Sequence, residues 1–102
     1  MQAARALTLG DRDNVATALG DIPVGASVQV RVGGEAVAVQ ARERIPFGFK
    51  IAVRPIPRGD LIYKYNEVIG RASRDIAPGE LAHVHNIEGT RARGDLEMQV
   101  KR

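Results

Sequence analysis

Asp21-Ile22-Pro23-Val24-Gly25, Pro55-Ile56-Pro57-Arg58-Gly59 and Asp75-Ile76-Ala77-Pro78-Gly79 are three versions of one short segment. Each places an isoleucine, two further residues and a glycine, and then re-enters an apolar stretch. The physical reading is a repeated turn. The isoleucine plugs the core, the middle residues reverse the chain, and glycine takes a backbone angle that a Cβ would resist. The three isoleucines are 34 and then 20 residues apart, so they do not set the fixed period of a solenoid. One compact fold that reuses a turn is the expectation.

Working outward from these turns, the chain divides into short strands. Eleven Gly and five Pro punctuate it throughout, as a β-rich fold requires. Val28-Gln29-Val30-Arg31-Val32 alternates strictly, Val37-Ala38-Val39-Gln40 does the same, and Gly33-Gly34 between them reads as a tight hairpin turn. Phe49–Val53 and Leu61–Tyr65 read as strands, Asn66-Glu67 as a turn, and Val68-Ile69 as a resumed strand that Gly70 punctuates. Ala82–Ile87 reads as the last strand. Residues 14–19 fit a strand or a helical turn equally well. No stretch has the periodicity of a long amphipathic helix, so the expected class is all-β. Residues 1–88 read as one domain and the polar, charged residues 89–102 as a tail or linker.

Composition narrows the function classes. A chain of 102 residues accommodates one modest core, and with two Phe, two Tyr and no Trp that core is aliphatic. The absence of cysteine excludes disulfides, thiolate metal sites and an iron–sulfur cluster ligated by this chain. Fifteen basic and twelve acidic residues are interspersed, giving a net charge of only +3. With no aromatic stacking platform and no basic stripe, nucleic-acid binding is not expected. No apolar run follows the first residues as in a signal peptide, and no segment approaches the roughly 18 apolar residues of a membrane span. The expectation is a cytoplasmic protein that does not enter the membrane. Arg58-Gly59-Asp60 belongs to a turn and Arg93-Gly94-Asp95 to the tail, so neither triplet reads as an adhesion motif.

Few residues could carry chemistry. His83 and His85 are the only histidines; two apart on a strand, they would point to one face and offer two imidazoles to a divalent ion or a carboxylate. The bland alternative is a pair of surface histidines. A third ligand would have to come from Asp13, Glu67, a partner or a substrate. Asn86 would orient a ligand from the strand end. Lys50 and Lys64 lie among apolar neighbours, where lysine can bind a carboxylate or, when desolvated, accept a proton. An alternating strand also puts lysine on its solvent face without any function. Tyr65 offers a phenol next to Lys64, and Asp13 and Asn14 either close a site or satisfy a local turn.

An ordered set of motifs adds to this reading: Asp13-Asn14-Val15-Ala16, Ile45-Pro46-Phe47-Gly48-Phe49-Lys50-Ile51-Ala52, Lys64-Tyr65, Ile69-Gly70-Arg71-Ala72 and His83-Val84-His85-Asn86. Interleaved with the three turns, it resembles the SAF domain of altronate and galactarate dehydratases, and is similar to the small subunit of sulfolactate sulfo-lyase, over roughly residues 7–88. The resemblance implies a β-clip fold and a hydro-lyase component for a sugar acid such as altronate or galactarate. It also implies a large dehydratase subunit or domain as partner. Taken with the residue chemistry above, the expected roles are catalytic for Lys50, Lys64 and Tyr65, substrate binding for Asp13, Asn14 and Asn86, and ligation of a divalent metal (Fe, Mn, Mg or Zn) for His83 and His85. Two positions depart from the pattern: Phe49 stands where the family has His, and Asn66 where it has Gly. The alternatives are a non-catalytic carbohydrate- or partner-binding module and a sulfo-lyase subunit. Exposed strand edges also make a homo-oligomer compatible with the sequence.

Overall fold

In a computed structural model, which describes residues 4–89, the chain is all-β and those residues include no helix. Nine strands form in order: β1 (Ala4–Leu7), β2 (Val15–Ala18), β3 (Ser27–Val32), β4 (Glu35–Gln40), β5 (Lys50–Ala52), β6 (Leu61–Lys64), β7 (Glu67–Ala72), β8 (Leu81–Ala82) and β9 (Ile87–Glu88). They make a six-stranded sheet, β4-β3-β1-β2-β5-β8, and a three-stranded sheet, β6-β7-β9. All pairings are antiparallel except β1 with β3. The charged tail expected at 89–102 lies, apart from Gly89, outside the described residues.

The repeated turn occurs four times, not three. Ile45-Pro46-Phe47-Gly48 is the fourth copy, and an alanine precedes each isoleucine by four residues: Ala18, Ala41, Ala52 and Ala72. The four isoleucines are fully buried and bridge in pairs, Ile22 with Ile45 and Ile56 with Ile76, through reciprocal N–H···O bonds of 2.8–2.9 Å. The glycines have φ of 85°, 84°, 91° and 95°. Each sits third in a four-residue turn closed by a bond from the following N–H, the arrangement of a type II turn. Each glycine N–H also donates to one of the alanines, Gly25 to Ala41, Gly48 to Ala18, Gly59 to Ala72 and Gly79 to Ala52.

The connections make two equivalent halves. Residues 18–48 run turn, hairpin β3–β4, turn; residues 52–79 run turn, hairpin β6–β7, turn. Asp21 in the first half accepts a bond from Phe47 N, and Asp75 in the second accepts one from Arg58 N, each at 2.8 Å. Each half closes over its own apolar cluster, one around Ile22 and Ile45 and one around Ile56 and Ile76. The unequal spacing of the sequence motifs follows from this pairing.

Several local expectations change. Residues 14–19 are resolved in favour of a strand, β2, whose centre is buried. The Gly33-Gly34 hairpin is present, with φ of 58° and 84°. The second hairpin turns at Tyr65-Asn66, one residue earlier than expected, and Glu67 already belongs to β7. Gly70 does not interrupt β7 but sits inside it; a Cβ there would lie 2.5 Å from Ile87 Cγ2 and 2.8 Å from the Glu88 carbonyl oxygen, so glycine is what lets β9 approach. Ala82–Ile87 is not one strand. Residues 83–86 form a turn between β8 and β9, because Asn86 supplies its own side chain to the backbone there. His83 and His85 therefore do not share a strand face.

Candidate functional site

Lys50 lies on β5, paired on one side with Thr17 of β2 and on the other with Ala82 of β8. Its neighbours Ile51 and Ala52 are fully buried, and the register leaves Lys50 half-buried. Lys64 ends β6, beside the Tyr65-Asn66 turn. Asn14 brings the two sheets together. Its side-chain amide substitutes for a peptide: Nδ2 donates to Leu61 O at 3.0 Å and Oδ1 accepts from Tyr63 N at 2.9 Å. Its own N–H donates to Tyr63 O and its carbonyl accepts from Val53 N. One asparagine thus stitches the end of β2 to β6.

Asp13 completes the joint. It is fully buried; Oδ2 accepts from Leu9 N and Gly10 N at 3.1 Å, and Oδ1 from Asn66 N at 2.8 Å. Asn66 answers by accepting from Arg12 N at 2.9 Å. Asn66 therefore keeps the turn, with φ of 63°, and adds a bond. Burial pushes the Asp13 carboxyl up, but bonds from the backbone N–H groups of Asn66, Gly10, Leu9 and Tyr65 outweigh it and hold the pKa below the ordinary aspartate value.

Between the joined sheets is a cleft of about 400 Å³ lined by Lys50, Lys64, Ile69, His83, Val84, Ile87 and Gly89. The lining holds two lysines and a histidine and no carboxylate. Burial, and then the Lys64 charge, lower the pKa of Lys50. The Phe49 ring packs tilted against His83 with centroids 4.9 Å apart, so the departure at Phe49 gives the histidine an apolar support. Tyr65 lies at the rim, its hydroxyl 3.4 Å from Thr17 Oγ1 and its ring 5.1 Å from Lys64 Nζ. Larger open grooves of about 670 and 520 Å³ run beside β4 and over β1 and β3, but no lysine or histidine lines either.

The structure thus gathers Lys50, Lys64 and His83, with Tyr65 adjoining. His85 is exposed in the turn and is not part of the lining. Asn86 is fully buried, with Oδ1 bonded to His83 N and Nδ2 to Leu81 O, both at 2.8 Å, so it shapes the turn that carries His83. Sequence reading passed over Thr17, which no local signal marked and which only the β2–β5 register places opposite Lys50, and the apolar wall formed by Ile69, Val84 and Ile87. Among the described residues no group of three or more His, Asp or Glu side chains could hold a metal ion. Two lysines beside His83 further disfavour a cation, so these residues alone do not fit a divalent centre.

The family model of the altronate/galactarate dehydratase SAF domain matches residues 4–90. The chain belongs to that family. The SAF chain is 43% identical over 75 residues to altronate dehydratase of Bacillus subtilis, covering 74% of this chain and 14% of that enzyme. It is 39% identical over 74 residues to altronate dehydratase of Escherichia coli, covering 72% and 14%. It is also 36% identical over 52 residues to the (2R)-sulfolactate sulfo-lyase subunit alpha of Chromohalobacter salexigens, covering 51% of this chain and 55% of that subunit. The SAF chain therefore spans about one-seventh of the altronate dehydratases and about half of the sulfo-lyase subunit.

Proposed function

We propose that this SAF domain is the small component of a sugar-acid dehydratase, acting on an aldonate or aldarate such as altronate or galactarate, and that it completes an active site shared with a larger partner. The observation that carries the reading is the cleft lined by Lys50, Lys64 and His83, with no carboxylate among its lining residues. The Lys64 ammonium and the His83 imidazole against an apolar wall attract and hold a substrate carboxylate. Dehydration begins with loss of the proton α to that carboxylate, which moves negative charge onto its oxygens. Cations placed there favour the charged intermediate over the substrate. Lys50, whose pKa is lowered by burial and then by the Lys64 charge, enters as the free amine, accepts the α-proton and becomes an ammonium. The electron pair closes a carbon–carbon double bond, the β-hydroxyl leaves as water with a proton from an acid on the partner, and the enol becomes a 2-keto acid. Lys64 and His83 hold the carboxylate; Asp13, Asn14 and Asn86 hold the frame. A divalent ion, where the complete enzyme uses one, takes its ligands from the partner.

The likeness to a sulfo-lyase alpha subunit, a separate small chain of which about half is matched, favours a second reading in which the same cleft holds sulfolactate and sulfite leaves. The test combines the purified chain with a large dehydratase chain that has no SAF segment of its own. 2-Keto acid formation is assayed from aldonates and aldarates, and sulfite release from sulfolactate. Product that requires both chains supports a lyase component and identifies the leaving group. Neither product nor complex would sink the reading in favour of a stand-alone binding module. In an active assembly, Lys50→Met is expected to lower kcat by about 10²–10⁴-fold while the complex still forms; near-normal turnover would remove Lys50 from the mechanism.

A further inference from the structure

The two hairpins of the duplicated fold reach the same turn geometry by different means. The first turns at Gly33-Gly34, the second at Tyr65-Asn66, where both residues have positive φ, 56° and 63°. Glycine adopts such angles freely; a tyrosine is strained by them. The first hairpin shows that folding does not require a side chain at this position. Asn66 offsets its strain with a side-chain bond from Arg12 N, whereas the bond that Tyr65 gives to Asp13 comes from its backbone N–H and needs no side chain. Its side chain instead reaches the cleft: the hydroxyl to Thr17, the residue paired with Lys50, and the ring face to Lys64 Nζ at 5.1 Å. An aromatic face at that distance attracts an ammonium group and restricts where a long lysine side chain points.

We propose that Tyr65 is a positioning residue, whose ring, anchored through its hydroxyl to Thr17, holds the Lys64 ammonium over the cleft beside Lys50. The proposal rests on reading that cleft as the carboxylate site. It gives Tyr65 a role through Lys64 rather than through contact with substrate. It also accounts for a strained tyrosine where the duplicated turn has glycine.

The titratable groups lining the cleft are Lys50, Lys64 and His83. Their titrations can be followed by NMR in the isolated chain, so the outcome does not depend on turnover. Tyr65→Gly copies the residue of the other hairpin and is expected to stay folded. Without the ring, Lys64 ranges more widely, its charge acts less on Lys50, and the Lys50 pKa rises toward the ordinary lysine value. Tyr65→Phe keeps the ring and is expected to keep most of the shift. The decisive comparison repeats Tyr65→Gly in a Lys64→Met background. If Tyr65 acts through Lys64, Lys50 no longer responds there. An equal rise in both backgrounds means that the ring merely shields Lys50 from water, and no rise in either means that it does not order the cleft; both results overturn the proposal.

Discussion

Gly79→Ala is expected to destabilise the domain by about 2–5 kcal/mol, combining ~1–2 kcal/mol for a Cβ at a left-handed backbone angle with ~1–3 kcal/mol for forced displacement of packed atoms. Gly79 has a φ of 95°, and a Cβ there would lie 2.0 Å from the Gln40 carbonyl oxygen. That oxygen belongs to backbone and cannot rotate away. Gly79 O also accepts from Arg42 N at 2.8 Å, while Gly79 N donates to Ala52 O at 2.8 Å. The residue therefore sits where the second half presses against the end of β4 in the first, and moving it opens that joint. The duplication supplies the controls. Gly25, Gly48 and Gly59 occupy the same place in the other three turns with φ of 85°, 84° and 91°, but a Cβ at each meets no heavy atom within 4 Å. Alanine at those positions is expected to cost only the ~1–2 kcal/mol of backbone strain. Thermal melts of the four variants should place Gly79→Ala at least about 10 °C below the wild type and lowest of the set. A Gly79→Ala protein that melts with Gly59→Ala would show that the halves adjust to each other more freely than the structure implies.

Asp13→Ala is expected to cost about 3–5 kcal/mol, since it strips a buried, hydrogen-bonded carboxylate from several backbone donors at once. The N–H groups of Leu9, Gly10 and Asn66 lose their acceptor, the fully buried Asp13 carboxylate. Asp13→Asn would not restore them fully, because its amide nitrogen points a donor at donors. The cost depends on pH in a defined direction. The folded pKa of Asp13 lies below its unfolded value, so its contribution is fully present above the unfolded pKa and disappears as pH falls through the folded one. Exposed Asp21, lowered by its bond from Phe47 N and, more weakly, by Arg44, acts in the same direction. Urea denaturation at neutral pH and at about pH 3 should show a wild-type loss on acidification and a smaller loss in Asp13→Asn. Equal acid sensitivity in the two proteins would mean that the carboxylate is not the acid-labile element of the joint.

Both expectations concern features that a linear reading reports only in part. Asp13 and Asn14 stood out as polar residues ahead of an apolar strand, able either to close a site or to satisfy a local turn. In the fold, the carboxylate organises the loop and the amide replaces a peptide between sheets. A short side chain that mimics backbone has the same chemistry as one that binds a ligand, so only its neighbours distinguish the two. The histidine pair shows how a local bond redirects a pattern. His-x-His suggested a strand face, but Asn86 bonds back to His83 and Leu81 and curls the segment, leaving His83 in the cleft and His85 in solvent.

The sequence by itself determined the elements whose cause is local. Ile-x-x-Gly made turns because glycine alone relaxes at their third position, and Gly33-Gly34 joined two alternating strands because their period of two suits a hairpin. The all-β class and the aliphatic core followed from those turns and from the composition. Tertiary structure decided what depends on residues distant in the chain. It paired four turns into two halves through Ile22 with Ile45 and Ile56 with Ile76, and laid β1 parallel to β3. It also drew Lys50, Lys64 and His83 from three strand ends into one cleft. A turn is fixed by the backbone angles its own residues allow. A cleft is fixed by which buried surfaces and hydrogen bonds can be satisfied together, and that condition exists only once the chain has closed.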